Sequence, residues 1–327
     1  RGRPRHSVPD QPVRRPEGPR HARPDVRVFL SLAIPAAAAA QPRRVAGMHI
    51  MLQPPESFVP AERFPGFQLD SAGASIMVTE VEAPFRAIAA GLTAEGLGSR
   101  GMRLRSSDSL VIDGRAARLL AVSQEASGVM FDKWLVVFGN DSATAIVTAT
   151  YPQQFAATLS DPMRQAVLSS RWSSEGPADP LEGIGFQFDL GSRMRISKRV
   201  GNMVLIDDTG TFPNPAPGAP MLAIASSISA GDMSDLEGFA RRRITQTDGV
   251  SGIANLRGEA LTVGGQAAYQ LIGDGVDTET STPLKVFQVV IAEGDHYMLV
   301  QGFVGADRAA EFIPEFQAIA RTVRRTR

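Results

Sequence analysis

The pattern of apolar residues along this chain predicts more strand than helix. Two segments, 134–138 and 286–292, are almost continuously apolar, which is typical of strands covered on both faces. Shorter apolar runs bounded by turn residues predict further strands. These lie near residues 50–52, 67–69, 75–81, 185–190, 203–206 and 221–229, and three longer strands in the first half are separated at Gly114 and at 139–142.

Apolar residues at helical spacing follow each group of strands. One stripe consists of Phe155, Leu159, Met163 and Val167, and the other of Ala309, Phe312, Phe316, Ile319 and Val323. Each stripe should pack on a sheet. Pro162 and Pro314 lie near the middle of these two helices and predict that each is split into two segments. A further helix is predicted to begin at a capping box, Ser234 to Glu237.

The same block of sequence occurs twice. LVIDGRAARLL at 110–120 returns as LTVGGQAAYQL at 261–271, with an offset of 151 residues. The hydrophobic strand and hairpin at Trp134 return at Phe287, with an offset of 153, so a two-residue insertion in a hairpin loop accounts for the difference. Because strand, turn, strand and helix keep their order and spacing, the sequence predicts two like domains that arose by duplication.

A polar segment with two prolines, SSEGPADP at 173–180, predicts a linker between the repeats. We therefore expect one domain at residues 46–172 and a second at 181–325. Each is large enough to bury a core of its own. The predicted fold class is α+β, with two repeated domains that are each an antiparallel sheet covered by helices on both faces.

The first 40 residues predict an N-terminal extension and a signal peptide. Residues 1–27 hold eight arginines and three acidic residues, and the 13 residues that follow, VFLSLAIPAAAAA, carry no charge. This run is too short to span a bilayer as a helix, and it ends in the A-x-A pattern of a cleavage site. We expect cleavage near Ala40 and a periplasmic or secreted product beginning at Gln41. A buried helix or a low-complexity tail is the alternative.

Charge and cysteine content argue against several classes of function. Beyond residue 40 the chain holds 26 basic and 31 acidic residues with no basic stripe, so no nucleic-acid partner is expected. The same part has no apolar run of membrane-spanning length, so no membrane insertion of the mature chain is expected. The chain has no cysteine, which excludes disulfides, thiolate metal sites and cysteine nucleophiles.

No motif predicts a catalytic residue or a cofactor. His49 and His296 are interpreted as structural residues, because a lone histidine in a leading segment or after a turn needs no catalytic explanation. Gly96-Leu-Gly-Ser-Arg-Gly101 has the spacing of a dinucleotide loop. However, the Thr93-Ala-Glu that precedes it predicts the start of a short helix instead of the buried strand that such a loop must follow.

No metal site is predicted either. Asp274, Asp277 and Glu279 do not have the spacing of an EF-hand and are interpreted as part of a solvated hairpin loop. The segment Asp207-Asp208-Thr-Gly210 is interpreted as a tight turn. A hydrolase with an unfamiliar carboxylate site stays open as an alternative function.

The order of elements in each repeat resembles the PsbP-like fold. Early strands, a middle helix, a strand block with the W/F-x-V-V pattern at Trp134 and Phe287, and an amphipathic final helix carry the resemblance. This superfamily includes the extrinsic photosystem II subunit, a Ran-binding nuclear protein and bacterial envelope proteins of the LpqN and DcrB kinds. The resemblance implies a non-catalytic extracytoplasmic binding or accessory protein without a cofactor, whose partner is another envelope protein or a cell-surface component. A carrier of a small apolar ligand is a further alternative.

Two loops rich in prolines and aromatic residues, at 63–67 and 211–217, predict an interaction surface. Prolines hold a loop extended, and aromatic side chains add contact area at a low cost in rotamer entropy. The candidate interaction residues are Arg63, Phe64, Phe67, Phe212 and Asn214. The alternative is that the phenylalanines of the first loop close the end of the sheet and that the second loop is a stiff connection.

Overall fold

The computed structural model describes residues 41–126, 128–176, 179, 181–228 and 230–326. Two seven-stranded antiparallel sheets, here called the N-terminal and C-terminal sheets, make up most of the described chain. The N-terminal extension and signal peptide predicted at residues 1–40 lie outside the described residues.

The elements are bounded as follows. The first part of the chain forms β1 (Arg43–Arg44), β2 (Ile50–Leu52), β3 (Val59–Pro60), β4 (Gly66–Leu69), β5 (Ala74–Val81), α1 (Phe85–Ala90), α2 (Ala94–Gly98), β6 (Met102–Ile112), β7 (Arg115–Ala126), β8 (Val129–Gly139), β9 (Thr144–Pro152), α3 (Ala156–Leu168) and β10 (Arg171–Trp172). The second part forms β11 (Phe186–Gln187), β12 (Arg195–Val200), β13 (Met203–Asp207), β14 (Met221–Ser226), α4 (Leu236–Ile244), β15 (Val250–Val263), β16 (Gln266–Asp277), β17 (Pro283–Glu293), β18 (His296–Gly305), α5 (Ala309–Thr322) and β19 (Arg324–Arg325).

The two sheets have the same strand order. The N-terminal sheet runs β3-β4-β5-β9-β8-β7-β6 and the C-terminal sheet runs β12-β13-β14-β18-β17-β16-β15. The register agrees as well, because Leu120 pairs with Leu135 in the first sheet and Leu271 pairs with Gln288 in the second, at the offsets found in the sequence. This common topology is what a duplicated chain is expected to produce.

Apolar clusters lie on both faces of the N-terminal sheet. On one face, Met163 and Val167 of α3 pack with Val136 and Phe138 of β8. On the other face, Leu97 of α2 packs in a cluster that contains the alternate residues of the same strand. Because side chains alternate along a strand, the continuously apolar segment 134–138 serves both clusters, as its pattern predicted.

The C-terminal sheet has the same arrangement. Phe316 of α5 packs on Phe287 of β17 with ring centroids 5.9 Å apart. On the opposite face, Ile244 of α4 packs in a cluster with Leu271 and Val290. The helices are short beside strands of 10 to 14 residues, and α4 packs mainly on β16 and β17. The architecture is therefore two large antiparallel sheets with few helices, and each helix covers only part of a face.

The predicted strand pattern was wrong in the first half of the chain. Four long strands are present instead of three, because β7 ends at Ala126 and a turn at Gly128 precedes β8. Gly128 adopts φ 77° in this turn, but the exposed apolar residues Val129 and Met130 follow at once and hid the break. In the second half, β12 was not predicted because it has no apolar run, and β11 is shorter than the predicted strand.

The predicted splitting of the closing helices was also wrong. The helices α3 and α5 continue through Pro162 and Pro314. Each proline removes one hydrogen bond, but the apolar stripe on both sides of it stays buried against one sheet, and this burial outweighs the loss. The capping box was misplaced by one residue, because Asp235, not Ser234, caps α4 by accepting from the backbone N–H of Gly238 at 2.8 Å.

Candidate functional site

Ion pairs join the two parts of the described chain. Arg63 Nη1 lies 3.1 Å from Glu293 Oε2, and the exposed fractions of the two side chains are 21% and 11%. Lys198 Nζ lies 2.8 Å from Glu82 Oε2. The pair formed by Arg63 and Glu293 is the more buried of the two, and it is screened less by solvent.

A second set of contacts surrounds Glu182, just after the predicted linker. Two guanidinium nitrogens of Arg44 lie 2.6 and 2.8 Å from its carboxylate oxygens, while Arg199 Nη1 donates to its backbone carbonyl at 2.6 Å. Burial lowers the pKa of Arg199 below its ordinary value, and the negative charge of Glu182 opposes this shift. A Cβ at Gly47 would lie 2.3 Å from the Glu182 backbone oxygen and 1.9 Å from Arg199 Nη1, and Gly47 has φ 71°, so glycine is required at this contact.

Between these contacts lies a cavity of about 320 Å³, here called the inter-sheet cleft. Its walls come from both parts of the chain. They consist of Gly47, Met48, His49, Glu80, Val81, Glu82, Ala143, Trp172, Ser197, Lys198, Arg199 and Gly201. The cleft therefore combines an aromatic residue, an imidazole and charges of both signs.

Glu80 fixes the position of His49 in the cleft. One carboxylate oxygen accepts from the backbone N–H of His49 at 2.6 Å, and the other lies 2.9 Å from the ring Nδ1. The imidazole stacks on Trp172 with centroids 6.1 Å apart and an interplanar angle of 25°. The carboxylate and the indole thus hold the ring in one orientation. The sequence does not predict this pairing, because Glu80 and Trp172 are distant from His49 along the chain.

Ser197 lines the same cleft as His49 and Glu80. A hydroxyl, an imidazole and a carboxylate are the groups that nucleophilic hydrolases combine. However, the Ser197 hydroxyl donates to the backbone carbonyl of Leu205 at 3.1 Å. Its proton is directed into the sheet, so in this structure the serine is not arranged for transfer of that proton to the imidazole.

Phe212 lies at the rim of the cleft. Lys198 Nζ is 5.7 Å from the centroid of the Phe212 ring, and the phenylalanine is 41% exposed. The loop that carries it is anchored at its base, where Asn214 Nδ2 donates to Asp208 Oδ1 at 3.0 Å and Arg308 donates to the other oxygen of Asp208 at 2.9 Å. Two of the candidate interaction residues thus belong to one anchored loop beside the cleft.

The other candidate residues are buried or engaged in an ion pair. Phe64 and Phe67 are 7% and 2% exposed, and Arg43 lies over the Phe67 ring with its guanidinium carbon 4.8 Å from the centroid. Arg63 is engaged by Glu293. Phe212 is therefore the candidate residue that offers a large exposed aromatic surface, and participation of any of the five in an interaction stays a prediction.

The glycine motif and the acidic cluster form local structure. Thr93 caps α2, with its hydroxyl oxygen accepting from the backbone N–H of Gly96 at 3.0 Å, which confirms the predicted short helix. The Asp274 carboxylate accepts a hydrogen bond from the Lys285 ammonium group. Asp277 accepts from the backbone N–H of Thr280 at 2.7 Å, and this hydrogen bond is the main reason that its pKa lies below the ordinary value.

Sequence reasoning missed most of the cleft. Glu80 lies near the end of a predicted strand and Trp172 directly before the predicted linker. Their positions at the ends of elements are the only sequence feature that weakly indicates a place in the cleft. Lys198 lies in a strand that the sequence does not predict.

In the described part of the chain, no group of three or more His, Asp or Glu side chains could hold a metal ion. Nor has any helix in that part the length and apolar character needed to cross a bilayer.

No protein-family model matches the chain, and comparison with curated proteins gives no match. Among solved structures, it is similar to LpqN of Mycobacterium tuberculosis, a protein involved in cell envelope biogenesis, with 17% identity, a TM-score of 0.34, and coverage of 43% of this chain and 83% of LpqN. The apo form of the type VI secretion immunity protein TplEi of Pseudomonas aeruginosa has 16% identity and a TM-score of 0.33, over 87% of this chain and 96% of TplEi.

Cyanobacterial PsbP of Synechocystis sp. PCC 6803 has 14% identity and a TM-score of 0.29, over 43% of this chain and 82% of PsbP. LpqN and PsbP, two of the proteins named in the resemblance drawn from the sequence, are thus both among the structures to which this chain is similar.

Proposed function

We propose that this chain is a non-catalytic binding protein and that a partner docks at the rim of the inter-sheet cleft, on Phe212. The observation that carries this proposal is a large exposed aromatic side chain on an anchored loop, next to a cavity that both parts of the chain line. Aromatic residues, phenylalanine included, are enriched in protein interfaces relative to the rest of the surface.

The anchoring of the loop favours binding. A loop fixed through Asn214, Asp208 and Arg308 loses little conformational entropy when a partner docks. Lys198 adds a positive charge beneath the Phe212 ring and is itself neutralised by Glu82. The surface therefore combines apolar contact area with a small set of paired charges, as the centre and rim of an interface commonly do.

The proposed partner is another envelope protein or a cell-surface component, and the proposed location is the periplasm or the medium after cleavage near Ala40. The short apolar segment 28–40 supports this location. N-terminal sequencing of protein recovered from the periplasm or the medium should give Gln41 as the first residue. Recovery of a cytoplasmic product that retains residues 28–40 would contradict the proposed location.

Substitution of the rim aromatic tests the binding role. Phe212→Ala should unfold at the same temperature as the wild type but retain less of the partner in crosslinking and co-purification from the native envelope. Leu190→Ala is the matched control, because Leu190 is also an apolar residue with 40% exposure and lies outside the cleft. Equal partner recovery by wild type, Phe212→Ala and Leu190→Ala would exclude Phe212 from the contact.

A hydrolase is the second candidate, and the common location of His49, Glu80 and Ser197 in one cleft is the observation that favours it. Hydrolysis by this set requires the Ser197 hydroxyl to leave the Leu205 carbonyl and turn to the imidazole. Incubation with a fluorophosphonate probe and with p-nitrophenyl esters tests this candidate. Labelling and turnover that are lost in both Ser197→Ala and His49→Gln would replace the binding role by a catalytic one.

A further inference from the structure

A second cavity, of about 470 Å³, lies against the C-terminal sheet. Its lining includes Val200 and Asn202, the sequence neighbours of Gly201 in the cleft, but no residue lines both cavities. It opens where α4, which packs mainly on β16 and β17, leaves the neighbouring strands uncovered. The residues that give it an apolar wall are Met203, Ala225, Phe239, Tyr297 and Leu299, with Ile228 45% exposed beside them.

The duplicated fold provides an internal comparison. By register, Tyr297 of β18 is equivalent to Thr144 of β9. Thr144 is fully buried, and its hydroxyl donates to the backbone carbonyl of Ala83 at 2.8 Å, so the chain itself closes this position in the N-terminal sheet. Tyr297 is only partly buried, and it packs edge-to-face on Phe239 with centroids 4.9 Å apart. At this position the C-terminal sheet thus has an aromatic side chain that lines a cavity, where its duplicate has a buried threonine.

One charged group, Arg243, lines this cavity, together with the polar side chains of Asn202, Ser226 and Ser227. Arg243, in the last turn of α4, is partly buried, and within the described residues its guanidinium has neither a hydrogen-bond acceptor nor an ion-pair partner. Three acidic side chains of α4 and of the loop before it are engaged elsewhere. Asp232 is bonded to Ser234, and Asp235 caps the helix. Glu237 pairs with Arg241 at 2.8 Å.

A guanidinium beside an apolar wall is a site for an anion with an apolar tail. A partly buried charge without a counter-ion is costly, so a carboxylate from a ligand would find both charge complementarity and two or more hydrogen-bond donors. The volume lies within the range of small-molecule sites, and aromatic and aliphatic side chains with a small number of orienting polar groups are the usual lining of such sites.

We propose that this cavity binds a free medium-chain fatty acid, with the carboxylate on Arg243 and the alkyl chain against Phe239, Tyr297 and Leu299. The proposal does not rest on the binding role of the cleft, because the two cavities share no lining residue. An arginine in the last turn of a helix is also favourable by itself, since it lies near the negative end of the helix dipole. The experiment must therefore distinguish a ligand from this purely structural role.

Isothermal titration of the purified protein with octanoate and decanoate, below their micelle concentrations, tests the proposal. Each added methylene should raise the affinity about fourfold, so decanoate should bind roughly fifteenfold more tightly than octanoate. Decanoate should bind at least about tenfold more weakly to Arg243→Gln than to the wild type. Arg242→Gln is the matched control, because Arg242 is an exposed neighbour on the same helix and should leave the affinity unchanged.

A second variant, Ala225→Trp, fills the apolar end of the cavity and should abolish binding while circular dichroism shows a folded protein. Decanol and decyltrimethylammonium have the same chain length as decanoate but carry no charge and a positive charge, respectively. Both should bind more weakly than decanoate. Equal binding of decanol and decanoate, or no loss in Arg243→Gln, would leave the arginine with its structural role alone and overturn the proposal. Binding to anionic phospholipid vesicles without binding of free decanoate would assign the surface to a membrane and overturn it as well.

Discussion

The phenylalanines of the two predicted interaction loops show that one residue type can be buried in the core or exposed at the surface. Phe67 is buried in the core of the N-terminal sheet, where it packs in the same cluster as Ile76 and Val78. Phe212 stands at the cleft rim with 41% of its surface exposed. Both occur in short Phe-Pro-rich segments, so local sequence does not distinguish them. Only the long-range contacts decide which ring stabilises the fold and which is free to contact a partner.

Truncation of these two rings should therefore have unequal effects on stability. Phe67→Ala removes a fully buried ring and should lower the free energy of unfolding by about 3 to 5 kcal/mol. Phe212→Ala should lower it by less than about 0.5 kcal/mol, as is usual at exposed positions. Urea unfolding followed by circular dichroism measures both values. A small loss for Phe67→Ala would mean that this part of the core collapses to fill the space.

At the scale of the element, the start of α4 shows that the residue that caps a helix depends on the hydrogen bonds of the loop before it. Ser234 and Asp235 are both residues that cap helices well, and the serine has the glutamate spacing of a capping box. In the structure the Ser234 hydroxyl donates to Asp232, while Asp235 accepts from the backbone N–H of Gly238. The preceding loop sets this choice, because it engages the serine before the helix begins.

Exchange of each residue for alanine tests which one caps the helix. Asp235→Ala should lower the free energy of unfolding by about 1 kcal/mol, since it leaves a helix N–H without its acceptor. Ser234→Ala, the control, should lower the free energy of unfolding by only about 0.3 kcal/mol, because the serine hydroxyl bonds an exposed side chain. Thermal unfolding of the two variants gives the comparison. A larger loss for Ser234→Ala would restore the capping box that the sequence predicted.

At the scale of the whole molecule, the two sheets are connected by polar contacts and not by a common core. Within the described residues, no apolar cluster combines residues from both sides of the segment 173–180. The connections include the ion pairs of Arg63 with Glu293 and of Lys198 with Glu82. The pair of Lys198 with Glu82, whose carboxylate side chain is 77% exposed, contributes about 1 kcal/mol or less, far below the stability of a domain.

Separation of the chain near Ser174 should therefore leave two fragments that each fold. Residues 41–173 and 174–327, produced separately, should each show cooperative thermal unfolding, because each retains its sheet and its clusters. Calorimetry of each fragment and of their mixture measures this. If cooperative unfolding occurred only in the mixture, the two cores would depend on each other and the predicted boundaries would be wrong.

The sequence by itself determined the repeated order of elements. Periods of two and of three to four residues act over neighbouring positions, so the pattern predicted the continuously apolar strands and the two closing helices. It failed where the pattern is weak or ambiguous. The turn at Gly128 is flanked by exposed apolar residues, and the strand that carries Lys198 has no apolar run. Pro162 and Pro314 lie inside continuous helices because tertiary burial outweighs one missing hydrogen bond.

The tertiary structure decided both candidate sites. His49, Glu80 and Trp172 meet although 31 and 123 residues separate the histidine from the other two, and Lys198 joins them from the other sheet. No local period encodes such a meeting, because it depends on how distant strands pair and how the two sheets connect. The same holds for Arg243 and Tyr297, which belong to a helix and a strand that the fold places side by side. Local sequence determines which elements form, whereas long-range packing determines which side chains share a cavity.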